Sequence, residues 1–134
     1  MKTMNPRIAV LALAVTLALG ACAHQGASYG GEGPGPNAPV YVEVSNHNWM
    51  DVVVYAVGYG QTIRLGSVTT GLDQRFRLPA SMLVQSGALY LEAHPVGSDE
   101  VHRSDPINVS PGGRVYWSLE NQLGLSSYRV AGGN

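Results

Sequence analysis

Val40-Tyr41-Val42-Glu43-Val44-Ser45 is the stretch that decides the fold class. Valine returns at every second position, and tyrosine, glutamate and serine fill the places between. A period of two sends alternate side chains to opposite faces of an extended strand, so the valines face a core and their neighbours face water. The same alternation returns downstream. Phe76 and Leu78 alternate with Arg75 and Arg77, and Leu89, Leu91 and Ala93 with Tyr90, Glu92 and His94. Val115, Trp117 and Leu119 alternate with Arg114, Tyr116, Ser118 and Glu120. Trp117 has inward parity and is expected in the core.

Val52-Val53-Val54-Tyr55-Ala56-Val57 is nearly continuous in apolar residues, the pattern of a central strand covered on both sides. Residues 63–68, 107–109 and 125–130 are further short strand candidates. Turn formers divide these runs. Gly58-Tyr59-Gly60-Gln61 is placed to close a hairpin, and Gly71-Leu72-Asp73, Gly97-Ser98-Asp99 and Pro111-Gly112-Gly113 punctuate the rest. One helical turn is expected at 80–85, after Pro79 and before Gly87. The sum is an all-β domain over residues 40–131, an antiparallel β-sandwich of seven or eight strands, immunoglobulin-like or transthyretin-like. An eight-stranded barrel is the competing architecture and would be a small one.

Outside that domain the composition changes. Lys2 and Arg7 precede an apolar run over residues 8–19 that only Thr16 interrupts, and small residues Gly20 and Ala21 follow. A positive start, an apolar middle and a small-residue end are the plan of a secretory signal. Residues 8–23 number 16, short of the roughly 20 that a membrane-crossing helix requires. The single cysteine, Cys22, stands at the end of this run.

Leu19-Gly20-Ala21-Cys22 resembles the lipobox of bacterial lipoprotein precursors. The resemblance covers residues 1–22 only. It implies that 1–21 is a signal peptide and that Cys22 becomes the first mature residue, with diacylated thiol and acylated amine. One acyl chain binds a membrane marginally, whereas two or three hold it firmly, at about 0.8 kcal/mol per buried CH₂. Ala23 stands where many inner-membrane-retained lipoproteins of enteric bacteria carry Asp, so the resemblance implies an outer-membrane destination where the source has two membranes.

A chain starting at Cys22 carries six arginines, no lysine and nine carboxylates, a net charge of −3. On that count no polybasic segment helps it lie on anionic lipid, and the acyl chains are expected to hold it alone. The full chain, at −1, offers no basic face for nucleic acid. A lone cysteine also excludes an internal disulfide, so the core must carry the stability. Residues 22–39 read as the lipidated N-terminus and a linker, with five glycines and three prolines between 23 and 39. A flexible chain of that length spans roughly 20–25 Å.

Residues that carry chemistry are scarce. His24, His47, His94 and His102 show no HxH, HExxH or Cys/His spacing, and a zinc site needs three or four convergent ligands. The closest approach to one is His94 with His102 across a turn, near Asp99 and Glu100. No GxSxG elbow surrounds any serine, and no carboxylate pair stands out for glycoside chemistry. The expectation is a binding protein and not an enzyme, with no cofactor beyond covalent lipid on Cys22.

The aromatic residues say more. Tyr41, Tyr90 and Tyr116 have outward parity, Tyr59 sits at a turn tip, and Trp49 lies in the loop Asn46-His47-Asn48-Trp49. These five form the candidate binding surface, for another envelope protein or for cell-wall glycan. Tyrosine is also a good strand former, and Trp49 can serve as a plug for one end of the sandwich. Asn46 and Asn48 are expected to cap their own turns. Arg75 and Arg77 are expected to pair with Glu43 or Glu92 across the sheet. The reading is thus a lipid-anchored envelope protein with a small binding domain.

Overall fold

The structure, a computed structural model, describes residues 33–83 and 88–132. The signal segment, Cys22, His24, the linker up to residue 32 and Gln85 and Gly87 lie outside the described residues. Eight strands form: β1 (Tyr41–Asn46), β2 (Val52–Gly58), β3 (Gln61–Val68), β4 (Asp73–Arg77), β5 (Tyr90–Pro95), β6 (His102–Arg103), β7 (Arg114–Leu119) and β8 (Ser127–Ala131). The only helical pieces among the described residues are short 3-10 turns at Ala80–Met82 and Leu123–Leu125.

The strands make two four-stranded sheets. Sheet A has the order β4-β1-β7-β8 and sheet B the order β3-β2-β5-β6. Their buried faces share one hydrophobic core, a β-sandwich-like arrangement. Val42 and Val44 of β1 and Val115, Trp117 and Leu119 of β7 come from sheet A, and Val52, Val54, Ala56, Leu91 and Ala93 from sheet B. Each fully buried Val or Leu side chain contributes roughly 1.5–3 kcal/mol of transfer free energy. Trp117, 2% exposed, is in the core as its parity required.

Four details differ from the sequence reading. The β1–β7 ladder is parallel, from Tyr41 opposite Arg114 to Asn46 opposite Leu119, so sheet A is mixed. Alternation is blind to this, because a valine face packs equally well in either strand direction. The run at 107–109 makes only an isolated bridge, Ile107 to Leu89, and the edge of sheet B is instead the two-residue β6. The candidate at 125–130 begins later, because a 3-10 turn takes Leu123–Leu125. β2 is central in its sheet but buried on one face only; Val53, Tyr55 and Val57 are half-buried on the other.

The turn at Tyr59-Gly60 closes the β2–β3 hairpin with positive φ at both residues, 55° and 71°. That is the backbone of a type I′ turn, whose twist matches the flanking strands; glycine takes the second place without strain and tyrosine the first with some.

Candidate binding surface

The strand directions place four connections at one end of the molecule: 47–51, 69–72, 96–101 and 120–126. Among the described residues, six large hydrophobic side chains are exposed, and five of them lie in these connections: Trp49, Leu72, Val96, Val101 and Leu125. The sixth, Val130, is on β8. Trp49 is 79% exposed, so it does not plug the sandwich. A concentration of apolar side chains at one end is the usual mark of an interaction site, whereas single exposed hydrophobics need no explanation.

The plug is made by two asparagines. Asn46 and Asn48 are 1% and 3% exposed, and every polar atom of their side chains is used. The Asn46 amide donates to the carbonyls of Met50 and Val68 at 3.0 Å each, and its oxygen accepts from the Asn48 N–H. The Asn48 amide donates to the carbonyls of Glu120 and Asn121 at 3.1 Å, and its oxygen accepts from the Met50 N–H. Each asparagine thus caps its own turn, as expected, and also holds a distant segment, the end of β3 for Asn46 and the 120–126 loop for Asn48.

Backbone groups complete the bracing. The Val96 N–H donates to the Asp51 carbonyl at 2.8 Å, and the His47 N–H to the Leu119 carbonyl at 2.8 Å. The Thr70 N–H donates to Asp51 Oδ1 at 3.0 Å, and its hydroxyl donates to the Asn48 carbonyl. The 47–51 loop is therefore bonded to each of the other three connections. An exposed tryptophan on a braced loop is preorganised, and little loop entropy is lost when it is covered.

The remaining aromatic candidates are distributed over the domain. Tyr41 and Tyr116 share the outer face of sheet A, since Glu43 lies two residues from Tyr41 and directly opposite Tyr116. Tyr90 is outward on sheet B, and Tyr59 is at the end opposite Trp49. Arginines cover three of the rings: Arg75 lies 5.8 Å from the Tyr41 centroid, Arg103 5.2 Å from Tyr90 and Arg129 3.8 Å from Tyr116. The structure thus joins Tyr41 with Tyr116 and keeps Trp49, Tyr59 and Tyr90 apart from them.

His94 and His102 do not converge. His102 pairs with Ala93, so His94 has the opposite parity. The His94 ring lies 4.7 Å from Tyr55 on the outer side of sheet B, and the His102 ring stacks on Trp117 at 6.2 Å. His47 sits beside Ser118 and Glu120. Among the described residues no group of three or more His, Cys, Asp or Glu is placed to hold a metal ion.

Ion pairs follow the sheet register. Arg75 meets Glu43 at 2.8 Å, as expected, while Glu92 is met by Arg103 at 2.6 Å and His94 at 3.1 Å. Burial pushes the Glu92 carboxyl up, but the hydrogen bonds from Arg103 and His94, together with their charges, outweigh it and hold it below the usual glutamate value.

A polar cleft of about 290 Å³ opens between β6 and β8, lined by Ser104, Asp105 and Tyr128 among others. Its polar atoms are largely engaged within the fold: Ser104 Oγ accepts from the Leu91 N–H and donates to the Asp105 carbonyl, and the Tyr128 hydroxyl donates to the Pro106 carbonyl. The loop end is the stronger candidate.

Sequence reasoning named Trp49 but missed Leu72, Val96, Val101 and Leu125. The signal was an apolar residue set among turn formers, as in Gly71-Leu72-Asp73 and Gly124-Leu125-Ser126. No protein-family model matches this chain, and no curated protein matches it significantly.

Proposed function

We propose that this protein is a lipid-anchored envelope protein whose domain binds another envelope protein through the loops at 47–51, 69–72, 96–101 and 120–126. The observation that carries the binding reading is the gathering of five exposed hydrophobic side chains on loops braced by Asn46 and Asn48. An exposed tryptophan on a preordered end favours a protein partner, because tryptophan is among the residues that supply most of the energy of protein interfaces. The chain enters β1 at the end of the domain opposite these loops.

The anchor rests on the lipobox resemblance at residues 19–22, with the outer membrane as destination where there are two membranes. Its test is Cys22→Ser, which abolishes acyl labelling; continued labelling of that variant contradicts the assignment. We read the two sheets as an immunoglobulin-like or transthyretin-like sandwich, on the support of the shared core and the repeated passage of the chain between sheets.

A glycan- or peptidoglycan-binding module is the second reading, favoured by the exposed ring of Trp49. The two separate by titrating tryptophan fluorescence with soluble cell-wall fragments. A saturable shift lost in Trp49→Phe supports stacking of Trp49 on sugar, and an unchanged spectrum leaves the protein partner.

A further inference from the structure

The six arginines beyond residue 22 are unevenly placed. Four of them, Arg75 and Arg77 on β4, Arg114 on β7 and Arg129 on β8, are outward on sheet A. Strand pairing sets them in two adjoining rows. Arg77, Tyr41 and Arg114 form the first, and Arg75, Glu43, Tyr116 and Arg129 the second. Glu43 is the one carboxylate of these rows, and it is bridged by Arg75 at 2.8 Å and Arg114 at 3.5 Å. It therefore aligns two guanidiniums while cancelling one charge. Arg129 is laid over the Tyr116 ring, and Arg77 makes no ion pair among the described residues. Four arginines against one glutamate leave these rows at +3, on a chain that nets −3 after residue 22.

The sign reverses along the strands. The next row holds Asp73, Ser45, Ser118 and Ser127, and Glu120 stands beyond it with His47. The basic rows are thus at the end where the chain enters, beside the Leu78 N–H bond to the Val40 carbonyl, and the acidic groups are toward the loop end.

The geometry points to the basic rows of sheet A as a docking surface for an anionic lipid bilayer, with headgroup phosphates as the ligand groups. Charge complementarity is the first argument: guanidiniums match phosphate geometry, and each arginine near an anionic surface contributes about 1 kcal/mol. The second is position. The chain enters sheet A at Val40, next to the first of the two rows, and residues 35–38 are hydrogen-bonded there, Ala38 to Gly35 and Gly112 to Ala38. The third is the covering of Tyr116 and Tyr41 by arginine, which suits rings at headgroup level better than open platforms for sugar stacking. Repulsion of Asp73 and Glu120 tilts the loop end away from the bilayer and leaves Trp49 accessible to a protein partner. The setting rests on the lipid-anchor reading, while the binding itself does not require the lipid.

The test uses a chain from residue 23 onward, which keeps the whole core, from Val40 to Leu123. It is sedimented with vesicles of phosphatidylcholine alone and of phosphatidylcholine with phosphatidylglycerol. Binding is expected only to the anionic vesicles and falls with added salt. Arg77→Gln weakens it about fivefold and adding Arg129→Gln about fivefold more, whereas Arg64→Gln, on sheet B, leaves it unchanged. Equal loss in Arg64→Gln and Arg77→Gln, or no preference for anionic vesicles, overturns the proposal. Retention on isolated peptidoglycan without vesicle binding also overturns it, in favour of an anionic glycan. Because the chain lacks Cys22, failure here reports on the face, while acyl labelling reports on the anchor.

Discussion

The side-chain amide of Asn48 donates to the backbone carbonyl of Glu120 at 3.1 Å, across 72 residues of sequence. It ties the β1–β2 loop to the β7–β8 loop, with Asn48 itself buried beneath them. Asn48→Ala removes this bond and the one to Asn121, and leaves carbonyls and the Met50 N–H to find water or go unpaired. A buried group left unsatisfied costs about 1–3 kcal/mol, so a loss of about 2–4 kcal/mol is expected. Urea unfolding measures it; a change under about 0.5 kcal/mol, the range of ordinary surface substitutions, contradicts the bracing role.

Trp49 stands on that braced loop and contributes little to the core. Trp49→Ala is expected to change unfolding free energy by less than about 0.5 kcal/mol, as exposed positions do. Against the partner it is expected to cost 2 kcal/mol or more, about thirtyfold in affinity. Calorimetry on the purified pair separates the two effects. A large stability loss with unchanged affinity makes Trp49 a structural residue.

Glu92 gives the domain an acid limit. Its folded carboxyl titrates below the usual 4.5, because Arg103 and His94 hold the charged form against the opposing effect of burial. The unfolded chain therefore binds the proton first as pH falls. The stabilisation is full above about 4.5 and is lost as pH drops through the lower folded value. In a Glu92→Gln variant, the melting temperature is expected to lie below that of the parent at neutral pH and to approach it in acid. Parallel curves down to the lowest pH rule this out.

Gly66 of β3 lies against Phe76 of β4. A Cβ at position 66 meets Phe76 Cε1 at 2.5 Å, so the ring must move to admit any side chain. Gly66→Val is expected to cost about 1–3 kcal/mol in thermal unfolding, the range of overpacked sites. A neutral effect shows that Phe76 swings aside freely.

Much of the fold is visible in the residues, and the reasons for the rest are physical. Val42, Val44, Val115 and Trp117 announce their faces by parity, which a buried face imposes on any strand. Parity carries no strand direction, so the parallel β1–β7 ladder was not legible. His102–Arg103 is a strand only because Glu92 and Ala93 pair with it, a long-range cause that two residues cannot signal. Net charge averages over all faces, so −3 concealed four arginines that strand pairing brings to one side. The loop end was half legible: Trp49 was conspicuous, but Leu72 and Leu125 in polar turns count only once the four loops are known to meet.

The proposed partner of the Trp49 end is an envelope protein. Photocrosslinking in intact cells measures this, with a photoreactive residue at position 122, on the exposed 120–126 loop with Trp49 left in place, and, as the control, at position 59 on the opposite end. One discrete envelope protein is expected to be captured from position 122 and not from 59, and its purified form then binds the domain in a Trp49-dependent way. Capture of that protein from position 59, or of nothing from 122 while the protein is folded and exported, contradicts the assignment.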